Sequence, residues 1–298
     1  MSIRKSFLLL LVGLLLAGCG TASPTATGTG PKVVATTTFL ADIAQNVAGD
    51  RLQVESLLPY GADPHSYQPI PQDVAKVANS DLLITNGVNY EHFLTTVLEN
   101  AGGKRTIIEA SAGLKVLDAN GGQAGDPHLW MDPNNVIGYV NNIRDGLTKI
   151  DPAGADVYAS NAQAYIAKLQ ALDSWIKEQV ATIPAGRRLL VTNHENLGYF
   201  ANRYGFKIVG TVIPGFSSEA APSAQQMAAL IDQIKASGVP AVFLDTTDSN
   251  TLADQVASDA HVTVVTDLHI ESLTDGPPAG TYIDMMKYDV TKIVEALK

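Results

Sequence analysis

Two copies of one short pattern hold the most legible chemistry in this chain: Asp63-Pro64-His65-Ser66-Tyr67-Gln68-Pro69 and Asp126-Pro127-His128-Leu129-Trp130-Met131-Asp132-Pro133. In each, a histidine follows Asp-Pro directly, an aromatic residue stands two positions on, and a proline closes the stretch. Proline fixes φ and biases the residue before it towards extended or turn backbone, so both histidines are expected on stiff loops. Imidazoles held stiffly and brought together from distant positions are what a first-row metal site needs. His194, in Val191-Thr192-Asn193-His194-Glu195-Asn196, adds a third nitrogen donor. A carboxylate or a further imidazole is offered by Asp267, His269 or Glu271, and position alone leaves those three open. His92, in an amphipathic stretch, and His261, beside a strand start, read as structural or solvated. Imidazoles bind metal only when neutral, and their ordinary pKa is ~6.5, so affinity is expected to fall below about pH 6 with more than one proton per metal.

Donors spread from residue 65 to residue 271 need a scaffold that converges them. Short β-branched runs at 32–37, 52–57, 81–85 and 106–109 alternate with helical stretches at 39–48, from 71, at 90–100 and at 133–149. Such alternation is the signature of a parallel sheet with helices on its faces. It breaks at 153–182, where Tyr158, Ala162, Tyr165, Leu169, Leu172, Ile176 and Val180 recur at steps of three and four until Pro184 and Gly186 stop the helix. Strands at 188–192, 207–212, 241–244 and 262–265 then alternate with helices at 197–204, 223–236, 251–260 and 282–297. The expected fold is α/β: two parallel-sheet lobes, 32–150 and 186–298, joined by one long rigid helix within 151–185. Ligands of open parallel sheets gather at the carboxyl ends of strands, so the site is expected in the cleft between the lobes. His194 and the 267–271 cluster both follow expected strands.

Arg4 and Lys5 precede an apolar run from Phe7 to Leu16, too short to span a membrane, and small residues follow it. The Leu16-Ala17-Gly18-Cys19 ending resembles a bacterial lipobox, which implies removal of residues 1–18 and lipid on the Cys19 thiol. Cys19 is the only cysteine, which excludes an intramolecular disulfide. The Thr/Ser/Gly-rich residues 19–31 read as a flexible tether. The chain of 298 residues is 46% hydrophobic and 17% charged, outside the disordered range. Its net charge of −10 becomes −12 once Arg4 and Lys5 leave with the signal, which argues against nucleic acid as a partner.

Beyond the two Asp-Pro-His motifs, three stretches carry a resemblance. These are residues 191–205, Ser217-Ser218-Glu219-Ala220 with Pro222-Ser223-Ala224, and Thr281-Tyr282-Ile283-Asp284-Met285-Met286-Lys287-Tyr288. In this order, and over nearly the whole mature chain, they resemble the zinc/manganese-binding solute-binding lipoproteins of ABC metal importers, the cluster A-I family. The resemblance implies a rigid helix between two lobes and four metal ligands, which fall on His65, His128, His194 and Glu271. Zinc-type members usually have His at the third position, where many manganese-type members have Glu. Glu271 stands where the family more often has Asp, and the loop from Leu117 to Gly125 lacks the His/acid-rich insert of many zinc importers. The implied function is capture of Zn2+, with Mn2+ or Fe2+ as alternatives, and delivery to an ABC permease. The implied protein is a monomer, lipid-anchored in the cell envelope, not an enzyme, in a family sometimes associated with cell adhesion. The competing class is a secreted zinc hydrolase in which water fills the fourth position and Glu271 or Glu195 acts as base. No His-Glu-x-x-His pattern supports it.

Overall fold

The computed structural model describes residues 30–117 and 125–298. The signal segment, Cys19, nearly all of the tether and residues 118–124 lie outside the described residues. The body from Pro31 to Lys298 forms one unit. Its first half runs β1 (Val33–Ala35), α1 (Thr38–Ala48), β2 (Val54–Ser56), α2 (Pro71–Ala78), β3 (Leu82–Thr85), α3 (Leu94–Ala101), β4 (Thr106–Glu109) and α4 (Pro133–Ile150). After α5 (Ala155–Ala181) come β5 (Leu189–Thr192), α6 (Gly198–Tyr204), β6 (Lys207–Thr211), α7 (Ala224–Ser237), β7 (Ala241–Asp245), α8 (Asn250–Ala260), β8 (Thr263–Leu268) and α9 (Tyr282–Leu297).

Each half carries a four-stranded sheet, in the orders β2-β1-β3-β4 and β6-β5-β7-β8, and every strand pair is parallel. The same winding therefore occurs twice. Central strands β1, β3 and β7 are buried at every residue, as expected for strands covered by helices on both faces. Helix starts are set by local chemistry. Thr37 accepts the Leu40 N–H at α1, Asp132 accepts the Asn134 N–H at α4 just ahead of Pro133, and Ser223 with Gln226 forms a capping box at α7.

Helix α5 has 27 residues and so a length of ~40 Å. It buries Tyr158, Ala162, Tyr165, Leu169, Leu172, Ile176 and Val180 against α1, α4 and α9. The seven apolar positions expected to face inward do so. One continuous core joins Leu40 and Ile84 of the first half, Leu172 and Ile176 of α5, and Phe243, Leu268 and Ile293 of the second. The lobes thus share their interior rather than meeting only through a strut.

Three local expectations are corrected. The helix expected over 90–100 begins at Leu94; Val88 and Asn89 adopt positive φ (53° and 60°), and the residues from there to Phe93 are turn and irregular backbone. His92 lies exposed in that turn rather than in a helix. Strand β8 continues to Leu268, beyond the expected end at 265, which places Asp267 inside the strand. His261 closes α8 in the left-handed conformation, at φ 59°.

Candidate metal centre

The repeated motif folds the same way twice. The Asp63 carboxylate accepts the His65 backbone N–H at 2.9 Å, and Asp126 accepts that of His128 at 2.9 Å. Each is an Asx-type turn, with the intervening proline fixing the corner. Asp126 Oδ1 also takes the His128 Nδ1–H at 2.8 Å, which turns Nε2 inward. Asp63 instead accepts the hydroxyls of Ser66 (2.8 Å) and, across the cleft, Ser218 (2.6 Å). His194 follows β5, where the Thr192 hydroxyl donates to the His194 carbonyl at 2.6 Å. Glu271 follows β8. Its loop is pinned by Asp245 at the end of β7, whose carboxylate accepts the backbone N–H of Ile270 and that of Glu271, the latter at 2.9 Å. The Tyr90 hydroxyl donates to Glu271 Oε2 at 2.5 Å, leaving Oε1 free.

These four side chains come together. One ligand atom from each of His65, His128, His194 and Glu271 lies within 4.8 Å of the others. Glu271 Oε1 is 3.3 Å from both His128 Nε2 and His194 Nε2, without hydrogen-bond geometry to either. The imidazole centroids stand 5.2 to 5.6 Å apart. None of the four is more than 5% exposed. Both ring nitrogens of His65 and His194, His128 Nε2 and Glu271 Oε1 are buried without a hydrogen-bond partner. A buried polar atom left unpaired costs roughly 1–3 kcal/mol, and one cation would satisfy four of these six, one from each residue. Tyr90 and Trp130 wall the site, with ring centroids 5.2 Å from His65 and from His128 respectively.

The charge pattern is asymmetric. Burial pulls the His65 imidazole down to about 4, so it is neutral at physiological pH. Burial opposes protonation of His128 as well, but the Glu271 and Asp126 carboxylates outweigh it and raise that ring to about 9. Burial alone would raise Glu271; the facing His128, His194 and His65 rings hold it well below the ordinary carboxylate range. The arrangement offers three nitrogens and one anionic oxygen to a cation of modest size.

The other residues weighed from sequence sit elsewhere. Asp267 accepts from the Tyr288 hydroxyl (2.7 Å) and Lys292 (2.6 Å). His269 packs on Tyr288, and its backbone N–H goes to Asp289. Glu195 is not among the clustered ligands, and His92 lines a mouth pocket with His65 and Phe216. Sequence reasoning missed Tyr90 and Asp245. Asp245 closes a buried β7 run at a strand's carboxyl end, the same signal that marked His194; Tyr90 carries no comparable signal.

A family model described as zinc-uptake complex component A, periplasmic, matches residues 33–296. The manganese-binding lipoprotein MntA of Halalkalibacterium halodurans is 36% identical over 296 residues, covering 98% of this chain and 97% of the relative. The iron-binding protein YfeA of Yersinia pestis is 37% identical over 268 residues, with 89% and 85% covered. The solved structure of the periplasmic zinc binding protein TroA from Treponema pallidum matches with a TM-score of 0.85 at 28% identity, covering 90% of this chain and 99% of that one. The family consists of solute-binding proteins and not of enzymes, which removes the hydrolase alternative. A two-lobed α/β chain with a buried cation-sized donor set and relatives of this kind belongs to the zinc-uptake complex component A family, the substrate-binding proteins of metal ABC transporters.

Proposed function

We propose that this protein captures zinc outside the cytoplasmic membrane, on His65, His128, His194 and Glu271, and hands it to the permease of an ABC importer. The observation that carries the reading is the set of buried, unpartnered nitrogens and one carboxylate oxygen within 4.8 Å. Three imidazoles and one carboxylate suit a borderline ion, and affinity at such donors rises from manganese towards zinc. Tyr90 supports the same choice. By engaging Glu271 Oε2 it favours a carboxylate that binds through one oxygen, hence four-coordination. Manganese is the second reading, favoured by relatives such as MntA, whose name assigns them that metal. Residues 1–18 act as a lipoprotein signal and Cys19 as the lipidated residue. Residues 19–31 form the tether, and the 32–150 and 186–298 lobes work as a monomer about the 151–185 helix. The N-terminal sequence and the lipoprotein relatives support this envelope location.

The test is metal analysis of protein purified without chelators, followed by competition between zinc and manganese in wild type and in His194→Glu. Wild type is expected to hold about one zinc ion and to prefer zinc by orders of magnitude, and His194→Glu to narrow that gap. Equal affinities in wild type would overturn the zinc assignment, and a ratio untouched by the substitution would mean that selectivity is set elsewhere than at His194. A fall in zinc affinity by orders of magnitude in His65→Ala and His128→Ala checks the ligand set in the same titration, and wild-type affinity in either would overturn it.

A further inference from the structure

Helix α6 lies directly downstream of His194, yet its side chains act on the other lobe. Gly198, its first residue, meets Asp126, the carboxylate that orients His128. A Cβ built at Gly198 would stand 2.5 Å from Asp126 Oδ2, so only glycine lets that carboxylate lie against the start of the helix. One residue on, the Tyr199 hydroxyl donates to the Asp126 carbonyl at 2.8 Å and accepts the Leu117 N–H at 2.9 Å. At the far end of the helix, Arg203 lies 3.1 Å from Asp132, the residue capping α4 just after His128. Arg203 also grips Asp173 of α5 with two hydrogen bonds, at 2.7 and 2.8 Å.

These contacts share a pattern. Gly198, Tyr199 and Arg203 of α6 all touch the stretch between Leu117 and Asp132, the stretch that carries His128. The helix itself follows His194 by only three intervening residues. A short element seated across the lobe boundary therefore ties the segment of His128 to that of His194.

We propose that α6 is the inter-lobe latch of the metal site, with Gly198, Tyr199 and Arg203 as positioning residues that hold His128 opposite His194. Release of the cation requires these contacts to open. The proposal rests on the capture reading above, since it concerns the same site. Binding registers the two imidazoles across the cleft; the latch fixes how long they stay registered. The Tyr199 hydroxyl couples two main-chain groups that no other described side chain joins.

Stopped-flow trapping of zinc by a chelator tests this in Tyr199→Phe and Gly198→Ala, with Tyr288→Phe as a control that removes a hydroxyl remote from the cleft. Losing a buried hydrogen-bonded hydroxyl is worth on the order of one power of ten, so Tyr199→Phe is expected to release zinc about tenfold faster. Gly198→Ala is expected to speed release too, because the added methyl meets a carboxylate that is itself tied to His128. Tyr288→Phe is expected to release zinc at the wild-type rate. Thermal denaturation separates the latch from a merely structural role. The latch predicts a smaller zinc-induced rise in Tm, whereas general destabilisation lowers loaded and metal-free Tm together. Wild-type release rates in both variants, or parallel Tm losses, would overturn the latch while leaving capture intact. Failure of wild type to take up zinc would remove capture, and the latch with it.

Discussion

His65 and His128 come from one motif and share one turn, yet their surroundings make them electrostatically opposite. His65 has no carboxylate on its ring nitrogens and burial lowers it to about 4; His128 lies between Asp126 and Glu271 and rises to about 9. At pH 7.5 the metal-free site therefore carries a proton on His128, and a cation taking His128 Nε2 must expel it. Calorimetry of zinc binding in buffers of different ionisation enthalpy is expected to show about one proton released per ion at pH 7.5. Zero release would mean that His128 is already neutral. This departs from the expectation of three ordinary imidazoles titrating together near pH 6. The sign carries over to stability: a ring raised above its unfolded pKa of ~6.5 stabilises the metal-free fold below that pH, and the contribution fades as pH climbs towards 9. At this scale the three histidines were legible, because Asp-Pro and strand-end positions constrain backbone. Glu271 was separable from Asp267 and His269 only by family resemblance. What separates them physically is the three extra residues of β8, which turn Asp267 towards Tyr288 and Lys292.

At the scale of elements, periodicity carried most of the information. Helix α5 was readable because its inward residues recur at steps of three and four with no proline to interrupt them, and its bounds differ from expectation by only two residues at the start and one at the end. The mismatch at 90–93 has the opposite cause. Tyr90 and Glu91 are pulled from helical geometry by tertiary partners: Tyr90 reaches Glu271, while Glu91 accepts the Thr36 hydroxyl at 2.7 Å and the Asn86 N–H at 2.5 Å. No local pattern encodes partners as distant as Glu271 and Thr36. The packing of α5 gives a direct check. Leu169 is fully buried in the shared core and Gln170, beside it, is exposed. Leu169→Ala should destabilise by about 2–5 kcal/mol through lost burial and the cavity it leaves, and Gln170→Ala by no more than about 0.5 kcal/mol. Urea unfolding of the two variants measures the contrast; equal midpoints would mean that α5 is not held through this face.

The molecule as a whole is two parallel-sheet lobes whose joining helix is itself part of the core they share. Its main core passes from the β1–β4 half through α5 into the β5–β8 half without a break, and α9 closes the C-terminal half by packing on α5 and α1. The Trp130 indole donates across the boundary to the Ile270 carbonyl at 2.9 Å, and the Tyr282 hydroxyl returns a bond to the Trp130 carbonyl at 2.6 Å. Loss of either half would strip the other of buried surface, so unfolding is expected to be a single cooperative transition. The cation site lies across the same boundary, and a ligand that binds only the folded protein stabilises it by mass action. Free zinc at a hundred times the dissociation constant adds about 2.7 kcal/mol, which in a chain of this size raises Tm by roughly 5–10 °C. Differential scanning calorimetry, with and without zinc, should therefore give one peak that moves as a unit. Two peaks, of which zinc shifts only one, would show that the halves unfold independently and that the shared core does not couple them.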